Sequence, residues 1–334
     1  MTGRPTVGIL ANPASGRDVR RLAARAGLST LESKRNQVMR AVIGAAAGGA
    51  ERIVVPKDPL RVAVGAVEGL AVQVDVETID VGARHAADDT RRAAQRMREL
   101  GCDVLIVLGG DGTNRAVAQG WPAPPIVAIP ATTAGLAAGL VASHAVALAE
   151  VATRAKVVRF GATGEAEDLA LIDAVHLIDD DAGNLMPFDA ERIRTIVLTR
   201  ADPAGVGVSP IGGLLEPCGP EDEFGVLGRC TSHDEGGRAL LVPISPGLFR
   251  RVHVGEARRL ALGESVTVEG SGVLALDGDR ERPLSPGRAL RLRVVREGPL
   301  AIDVGRTMAV AARLGAMVDR PVPRDTLGQL PGCC

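Results

Sequence analysis

The residues best suited to chemistry stand together at 109–114, in the run Gly109-Gly110-Asp111-Gly112-Thr113-Asn114. Three glycines within four positions allow a sharp backbone turn and leave peptide N–H groups uncovered by side chains. The apolar run 104–108 precedes them and reads as a buried strand. A short helix over 115–119, capped by Thr113 or Asn114, is expected to follow. A strand, a glycine turn and a helix N-terminus bring N–H donors and the positive end of a helix dipole to one spot, which suits a phosphate. Asp111 sits inside that turn, where a phosphate would repel its carboxylate. Two chemistries would justify it: coordination of a metal that bridges phosphates, or removal of a proton from a hydroxyl that attacks phosphorus. The plainer alternative is a tight turn in which Asp111 caps backbone donors. The run is not a P-loop, because no lysine follows the glycines, and it lacks the third glycine of the dinucleotide GxGxxG.

Other candidates lie after other strand-like runs. Asn12, Ser15 and Gly16, with Arg17 beside them, follow the apolar run 6–11. They supply polar donors at the carboxyl end of a strand, where open α/β sheets bind ligands. A plain Asx turn explains the same residues equally well. Thr132 and Thr133 stand between the run 126–129 and a long Ala- and Leu-rich segment, and offer hydroxyl donors there. Asp277-Gly278-Asp279 reads as a hairpin turn. Cys230 and His233 have ligand-like spacing, but Cys218 and His253 make no convincing second pair, so a zinc site is not expected.

The elements that must position these residues alternate in the first part of the chain. Strands are expected over 6–11, 52–56, 71–79, 104–108 and 126–129. Helices are expected over 18–26, 33–46, from Asp58-Pro59 to about 69, and over 84–100. Val38, Ala41, Val42 and Ala45 share one face of the second of these helices. Asp88, Asp89 and Thr90 read as solvated surface. Strand–helix alternation implies a parallel, Rossmann-like sheet covered on both faces. A helix over 134–155 follows. From about 156 the pattern changes to short strand-like runs separated by Gly, Pro and Asp-Gly turns, which reads as a β-rich second domain. A helix over 306–314 is expected to pack back on the first domain. The organisation expected is therefore an α/β domain over 1–145, a β-rich domain over 146–300, a returning helical segment over 301–320 and a tail over 321–334.

Bulk composition narrows the function classes. In 334 residues the net charge is −1, so no electrostatic case exists for nucleic acid or an anionic membrane. Aromatic residues make up 1%, with no tyrosine, which argues against base stacking. No stretch reads as a membrane span; the most apolar, 131–149, is rich in Ala and Gly and contains His144. Residues 1–5 lead directly into a strand-like run, without a leader pattern. Five irregularly spaced cysteines fit a reducing, cytoplasmic setting, and Cys333-Cys334 reads as the end of a disordered tail.

GGDGT after an apolar strand resembles the signature of the NAD kinase and diacylglycerol/sphingoid lipid kinase superfamily, and VGILANPASGRDVRRL resembles its first strand and loop. AGLAAGLVA at 134–142, SPIGGLLEP at 209–217 and ALDGDRER at 275–282 resemble a narrower branch. That branch is the ATP-NAD kinase-like proteins that include acetoin catabolism protein X. The resemblance runs from about residue 6 to about residue 315. It implies an NAD kinase-like fold, ATP or polyphosphate as phosphoryl donor, Mg²⁺, and a hydroxyl of NAD or a related molecule as acceptor. Asp111 would be the base and a possible Mg²⁺ partner. Gly109, Gly110, Gly112, Thr113 and Asn114 would cradle phosphate, with Asn12, Ser15 and Gly16 nearby. Asp277 or Asp279 would return a second carboxylate, although relatives often carry glutamate at the position of Asp279. A homo-oligomer that binds nucleotides (NAD, ATP or ADP), and neither nucleic acid nor membrane, is expected. One departure stands out: relatives usually carry a polar segment before the helix that begins near 134, and here only Thr132 and Thr133 remain. Two other readings stay open. One is a nucleotide-binding accessory or sensor protein that transfers nothing, and the other is a lipid kinase.

Overall fold

The structure, a computed structural model, describes residues 3–13, 30–70, 72–82, 87–128, 132–178, 189–278 and 280–318. The described residues divide into two compact units, one formed by those within 1–16, 29–154 and 299–334, the other by those within 155–298. The helix expected over 18–26 lies outside the described residues.

In the first unit, strands β1 (Thr6–Ala11), β2 (Arg52–Pro56), β3 (Asp75–Ile79), β4 (Val104–Leu108) and β5 (Pro125–Val127) are parallel. They alternate with α1 (Leu31–Ala47), α2 (Val62–Val67), α3 (Ala87–Glu99), α4 (Asp111–Gly120) and α5 (Thr132–Ala142). β1, β2, β4 and β5 are buried on both faces, which is why they read as near-continuous apolar runs, whereas β3, at the edge of the sheet, is largely half-buried. Val7, Ile9, Val104 and Ile106 face one layer with Val38, Ala41, Val42 and Ala45 of α1. Leu10, Leu105 and Val107 face the other with Ala93, Ala94 and Met97 of α3 and Val117 of α4.

Several boundaries differ from those expected, each for a local reason. α2 starts at Val62 rather than beside Pro59, because the Asp58 carboxylate reaches forward to cap the N–H groups of Val62 (2.8 Å) and Ala63 (3.1 Å). The β3 pairing begins at Asp75 rather than at 71. The long helix expected over 134–155 ends at Ala142, where His144 takes a left-handed backbone (φ 58°) that a helix cannot continue through. A single turn, α6 (Leu148–Val151), and a short strand, β6 (Ala152–Arg154), take up the remainder.

The second unit is antiparallel. Its strands are β7 (Val157–Gly161), β8 (Asp168–Ala170), β9 (Asp173–Leu177), β10 (Ile193–Leu198), β11 (Phe224–Thr231) and β12 (Arg238–Ser245). They continue with β13 (Leu248–Ala261), β14 (Ser265–Val268), β15 (Gly272–Leu276), β16 (Arg280–Leu284) and β17 (Leu290–Val295). One sheet has the order β12-β13-β11-β10-β9-β15-β16, the other β14-β17-β7-β8. Phe160, Leu227, Leu260, Leu274 and Leu292 belong to one buried cluster that draws on both sheets. A second cluster, with Ile196, Leu198, Val226 and Val252, takes in Ile211 of the short helix α7 (Ser209–Gly213).

The chain then returns to the first unit. Strand β18 (Leu300–Ile302) pairs parallel with β5 and antiparallel with β6, completing the order β3-β2-β1-β4-β5-β18-β6. Helix α8 (Val304–Arg313) packs on α5 and α6, with Val310 and Ala311 in the first unit's core. Nothing in the short sequence Leu-Ala-Ile marks it as a partner of a strand more than 170 residues earlier.

Helices α1 and α5 cross without intervening side chains. A Cβ on Gly135 would stand 2.2 Å from the Ala41 carbonyl oxygen, and one on Gly139 2.2 Å from that of Ala45. From the other side, a Cβ on Gly44 would stand 2.1 Å from the Thr132 oxygen. Glycine on both helices therefore sets the height of α5, and with it the place of Thr132 and Thr133.

Candidate functional site

The site is built where β1 and β4 end side by side. Ala11 pairs with Leu108, and the Asn12 N–H donates to the Leu108 carbonyl (2.9 Å), so the residues that follow each strand leave the sheet together. Beyond Leu108, Gly109 is demanded by contact: a Cβ there would come within 2.3 Å of the Thr113 side chain. Gly110 is extended (φ −82°, ψ −169°), a backbone open to any residue, and the space over it is empty to 4 Å. The sequence suggested a glycine turn followed by a helix from 115. Instead, α4 begins at Asp111 with Gly110 as its cap, and neither Thr113 nor Asn114 caps it through a side chain.

That shift changes each residue's part. Asp111 is the first residue of the helix and is exposed, Gly112 is half-buried, and Thr113 is buried. The Thr113 and Asn114 N–H groups turn back to the Gly110 carbonyl (3.0 and 3.1 Å), as does the Asn114 side-chain amide (3.1 Å). The Asn114 Oδ1 is buried and accepts no hydrogen bond among the described residues. The Thr113 hydroxyl accepts from the Asn12 side-chain amide (2.9 Å). Asn12 and Thr113 thus tie the β1 loop to the first turn of α4. What remains outward is the stretch Gly110-Asp111-Gly112 at the positive end of a helix dipole.

A residue overlooked in the sequence completes the arrangement. Lys34 on α1 is 3% exposed, and its Nζ donates to the carbonyls of Asn12 (2.9 Å) and Pro13 (2.8 Å). Its ammonium pins the backbone of the loop whose Asn12 side chain meets Thr113. The only hint in the sequence was the scarcity of lysine, with Lys34, Lys57 and Lys156 the three in the chain.

The remaining candidates are spread. Thr132 and Thr133 are exposed in the first turn of α5. Only residues 128–131 separate that helix from β5. Asp277 belongs to the second unit, at the β15–β16 turn, with φ 53°. Its carboxylate accepts from the N–H groups of Ile172 (2.8 Å) and Leu171 (3.0 Å), and so holds the turn between β8 and β9. Ser15, Gly16, Asp279, Cys333 and Cys334 lie outside the described residues. Cys230 is buried, and burial pushes its thiol up to about 12. The His233 ring meets that of His253, with Nδ1 and Nε2 3.4 Å apart. Among the described residues no group of three or more His, Cys, Asp or Glu side chains is arranged to hold a metal. No described helix is long and apolar enough to cross a membrane.

Comparison with known proteins agrees with this two-part organisation. Residues 7–155 match the family model of the ATP-NAD kinase N-terminal domain, and residues 156–297 that of the acetoin catabolism protein X C-terminal domain. The chain is 34% identical to acetoin catabolism protein X of Cupriavidus necator, over 96% of each chain. Among solved structures, it resembles a candidate diacylglycerol kinase from Bacillus anthracis str. Sterne (12% identity, TM-score 0.42, 90% of this chain and 99% of that one). It also resembles an NAD kinase from Archaeoglobus fulgidus in complex with ATP (14% identity, TM-score 0.38, 80% and 99%). With an NAD kinase-like first domain followed by the second domain distinctive of that relative, the chain belongs to the acetoin catabolism protein X family.

Proposed function

We propose that the protein is a phosphotransferase of the NAD kinase type, moving a phosphoryl group from ATP or polyphosphate to a hydroxyl of NAD or a related nucleotide. One observation carries this reading: an exposed carboxylate, Asp111, at the first position of a helix whose preceding residue, Gly110, leaves open space above the backbone. A helix N-terminus attracts phosphate oxygens. A carboxylate beside it takes the proton of the acceptor hydroxyl as that oxygen bonds to phosphorus, while the bond from phosphorus to the donor's bridging oxygen breaks. Asn12, Thr113 and Lys34 act by holding that first turn in place. Gly109 lets Thr113 pack against it. The donor set also fits Mg²⁺, which is usually held by one or two carboxylates together with substrate phosphates, so Asp111 with the donor phosphates would suffice. That ion would neutralise charge on the phosphates.

A second reading has its own observation. The connection over 128–131 is too short to carry the polar segment that relatives place before α5, so few side chains remain to hold a nucleoside. On this reading the protein recognises phosphate but transfers it slowly or not at all, as an accessory or sensor protein. Calorimetry with NAD, ADP and polyphosphate, joined to a coupled assay for NADP, separates the two. The kinase reading expects turnover that Asp111→Asn cuts by a factor on the order of 10² without loss of fold. Near-normal turnover in that variant removes Asp111 from the mechanism. Binding of ADP or polyphosphate as tight as that of NAD, with turnover below the usual ~1 s⁻¹, favours the second reading. Tight, selective NAD binding with ordinary turnover refutes it.

A further inference from the structure

The second unit buries an amine against a thiol. Lys156 is 4% exposed and Cys218 3% exposed, and the lysine Nζ lies 3.2 Å from the cysteine Sγ. Nζ also donates to the carbonyls of Phe224 (2.7 Å) and Gly219 (2.9 Å), so three directed contacts fix it. The sulfur in turn lies 3.1 Å from the Phe224 carbonyl. The Phe224 ring closes one side, its centroid 5.9 Å from Nζ. No carboxylate forms an ion pair with Lys156 among the described residues.

Cys102 and Cys230 are buried too, but among the described residues neither has an ammonium as a hydrogen-bond partner. A cationic nitrogen directed at sulfur is the setting in which a cysteine becomes reactive towards peroxides. Gly219 and Phe224 also flank the exposed segment 220–223, so only that short segment, tied down by Arg296, separates the pair from solvent on this side.

We infer that Lys156 and Cys218 form an oxidative modification site, in which hydrogen peroxide joins them covalently through one oxygen as Nζ–O–Sγ. In the first step the sulfur attacks a peroxide oxygen. The S–O bond forms, the O–O bond breaks, and water leaves, giving the sulfenic acid. In the second step another peroxide accepts two electrons as the sulfenic oxygen and the amine nitrogen are joined. The sulfenic hydrogen and one amine hydrogen depart in two molecules of water. In sum, one thiol, one amine and two peroxides give one bridge and three waters. The amine must be neutral when its nitrogen bonds, so the ammonium first gives up one proton to solvent. The separation of the two atoms favours an interposed oxygen over a direct S–N bond. A direct bond would require both to cross most of the gap inside a close-packed core, whereas the bridge needs only a small approach. Excess dithiol reverses the reaction, returning amine, thiol and water.

The test is peroxide titration of the full-length protein followed by intact and peptide mass spectrometry. The expected product carries one added oxygen and two fewer hydrogens, maps to a cross-link between the peptides holding Lys156 and Cys218, and disappears on treatment with dithiothreitol. Cys218→Ser and Lys156→Arg should both lack it. The wild-type map alone decides the question if a variant fails to fold. Loss of two hydrogens without the oxygen would replace the bridge by a direct S–N bond and overturn the proposal. So would oxidation of Cys218 only to its acids, a cross-link mapped elsewhere, or no reaction at either residue.

Discussion

Replacing Gly139 by alanine tests whether backbone contact between α1 and α5 holds the first unit together. The added Cβ would lie 2.2 Å from the Ala45 oxygen and 2.9 Å from the Gly48 Cα. Both are backbone atoms, one in α1 and one at its C-cap, and cannot rotate away, so the helices must separate by roughly an ångström to restore van der Waals distance. Overpacking of this kind costs about 1–3 kcal/mol. Alanine is the better helix former by about 0.8–1.0 kcal/mol, which offsets part of the loss. The net expectation is destabilisation on the order of 1–2 kcal/mol. Gly65→Ala on α2 is the matched control, because its nearest neighbour is the Arg35 Nε at 3.4 Å, near the end of a flexible side chain. There the helix gain is unopposed, and stabilisation of about 0.4–1 kcal/mol is expected. The single tryptophan, Trp121, stands at the end of α4 and packs into the first unit's core. Its fluorescence during urea unfolding therefore reports on this unit. The Gly139→Ala midpoint should fall and the Gly65→Ala midpoint rise. A Gly139→Ala midpoint at or above wild type would show that the helices part without cost and would refute the reasoning.

Three further outcomes are expected. Lys34→Met leaves the Asn12 and Pro13 carbonyls without their buried donor, so the same unfolding assay should show a loss of about 1–3 kcal/mol, and calorimetry a weaker affinity for ADP. Unchanged ADP affinity would separate Lys34 from the phosphate site. A double-mutant cycle of Asn12→Ala and Thr113→Val should give a coupling of about 0.5–1.5 kcal/mol, and a coupling of zero would mean that their hydrogen bond does not link β1 to α4. Burial holds the Asp103 carboxyl above its ordinary range, against the Thr6 N–H that donates to it at 2.8 Å and the nearby His144. A raised folded-state value means that ionisation opposes folding, fully so above that value. The handicap fades as pH falls through it towards the unfolded carboxylate value. Asp103→Asn retains an oxygen for Thr6, so it should be more stable than wild type at neutral pH, with the difference shrinking in acid. A difference that does not vary with pH would rule out this account.

The alternation of strand and helix, and the change to closely spaced strands, were legible in the sequence because buried strands and amphipathic helices are written in local periodicity. β1, β2, β4 and β14 follow directly from their apolar or alternating runs. The glycine–aspartate run was legible too, since its residue types matter before any partner is known. The start of α4 was not. Whether Asp111 lies in a turn or in a helix depends on Gly109 yielding space to Thr113, and on Thr113 meeting Asn12 from 101 residues away. The same holds for Lys34, whose burial depends on two carbonyls after β1, and for Lys156, whose neighbour Cys218 is 62 residues distant. The part played by the glycines at 44, 135 and 139 was not legible either, since it is the crossing of α1 and α5 that brings backbone against backbone there. Local preference is set by neighbours within a few residues, whereas side-chain pairing, close approach and the return of β18 to the first sheet depend on where distant segments meet. Those meetings are decided by the packed whole.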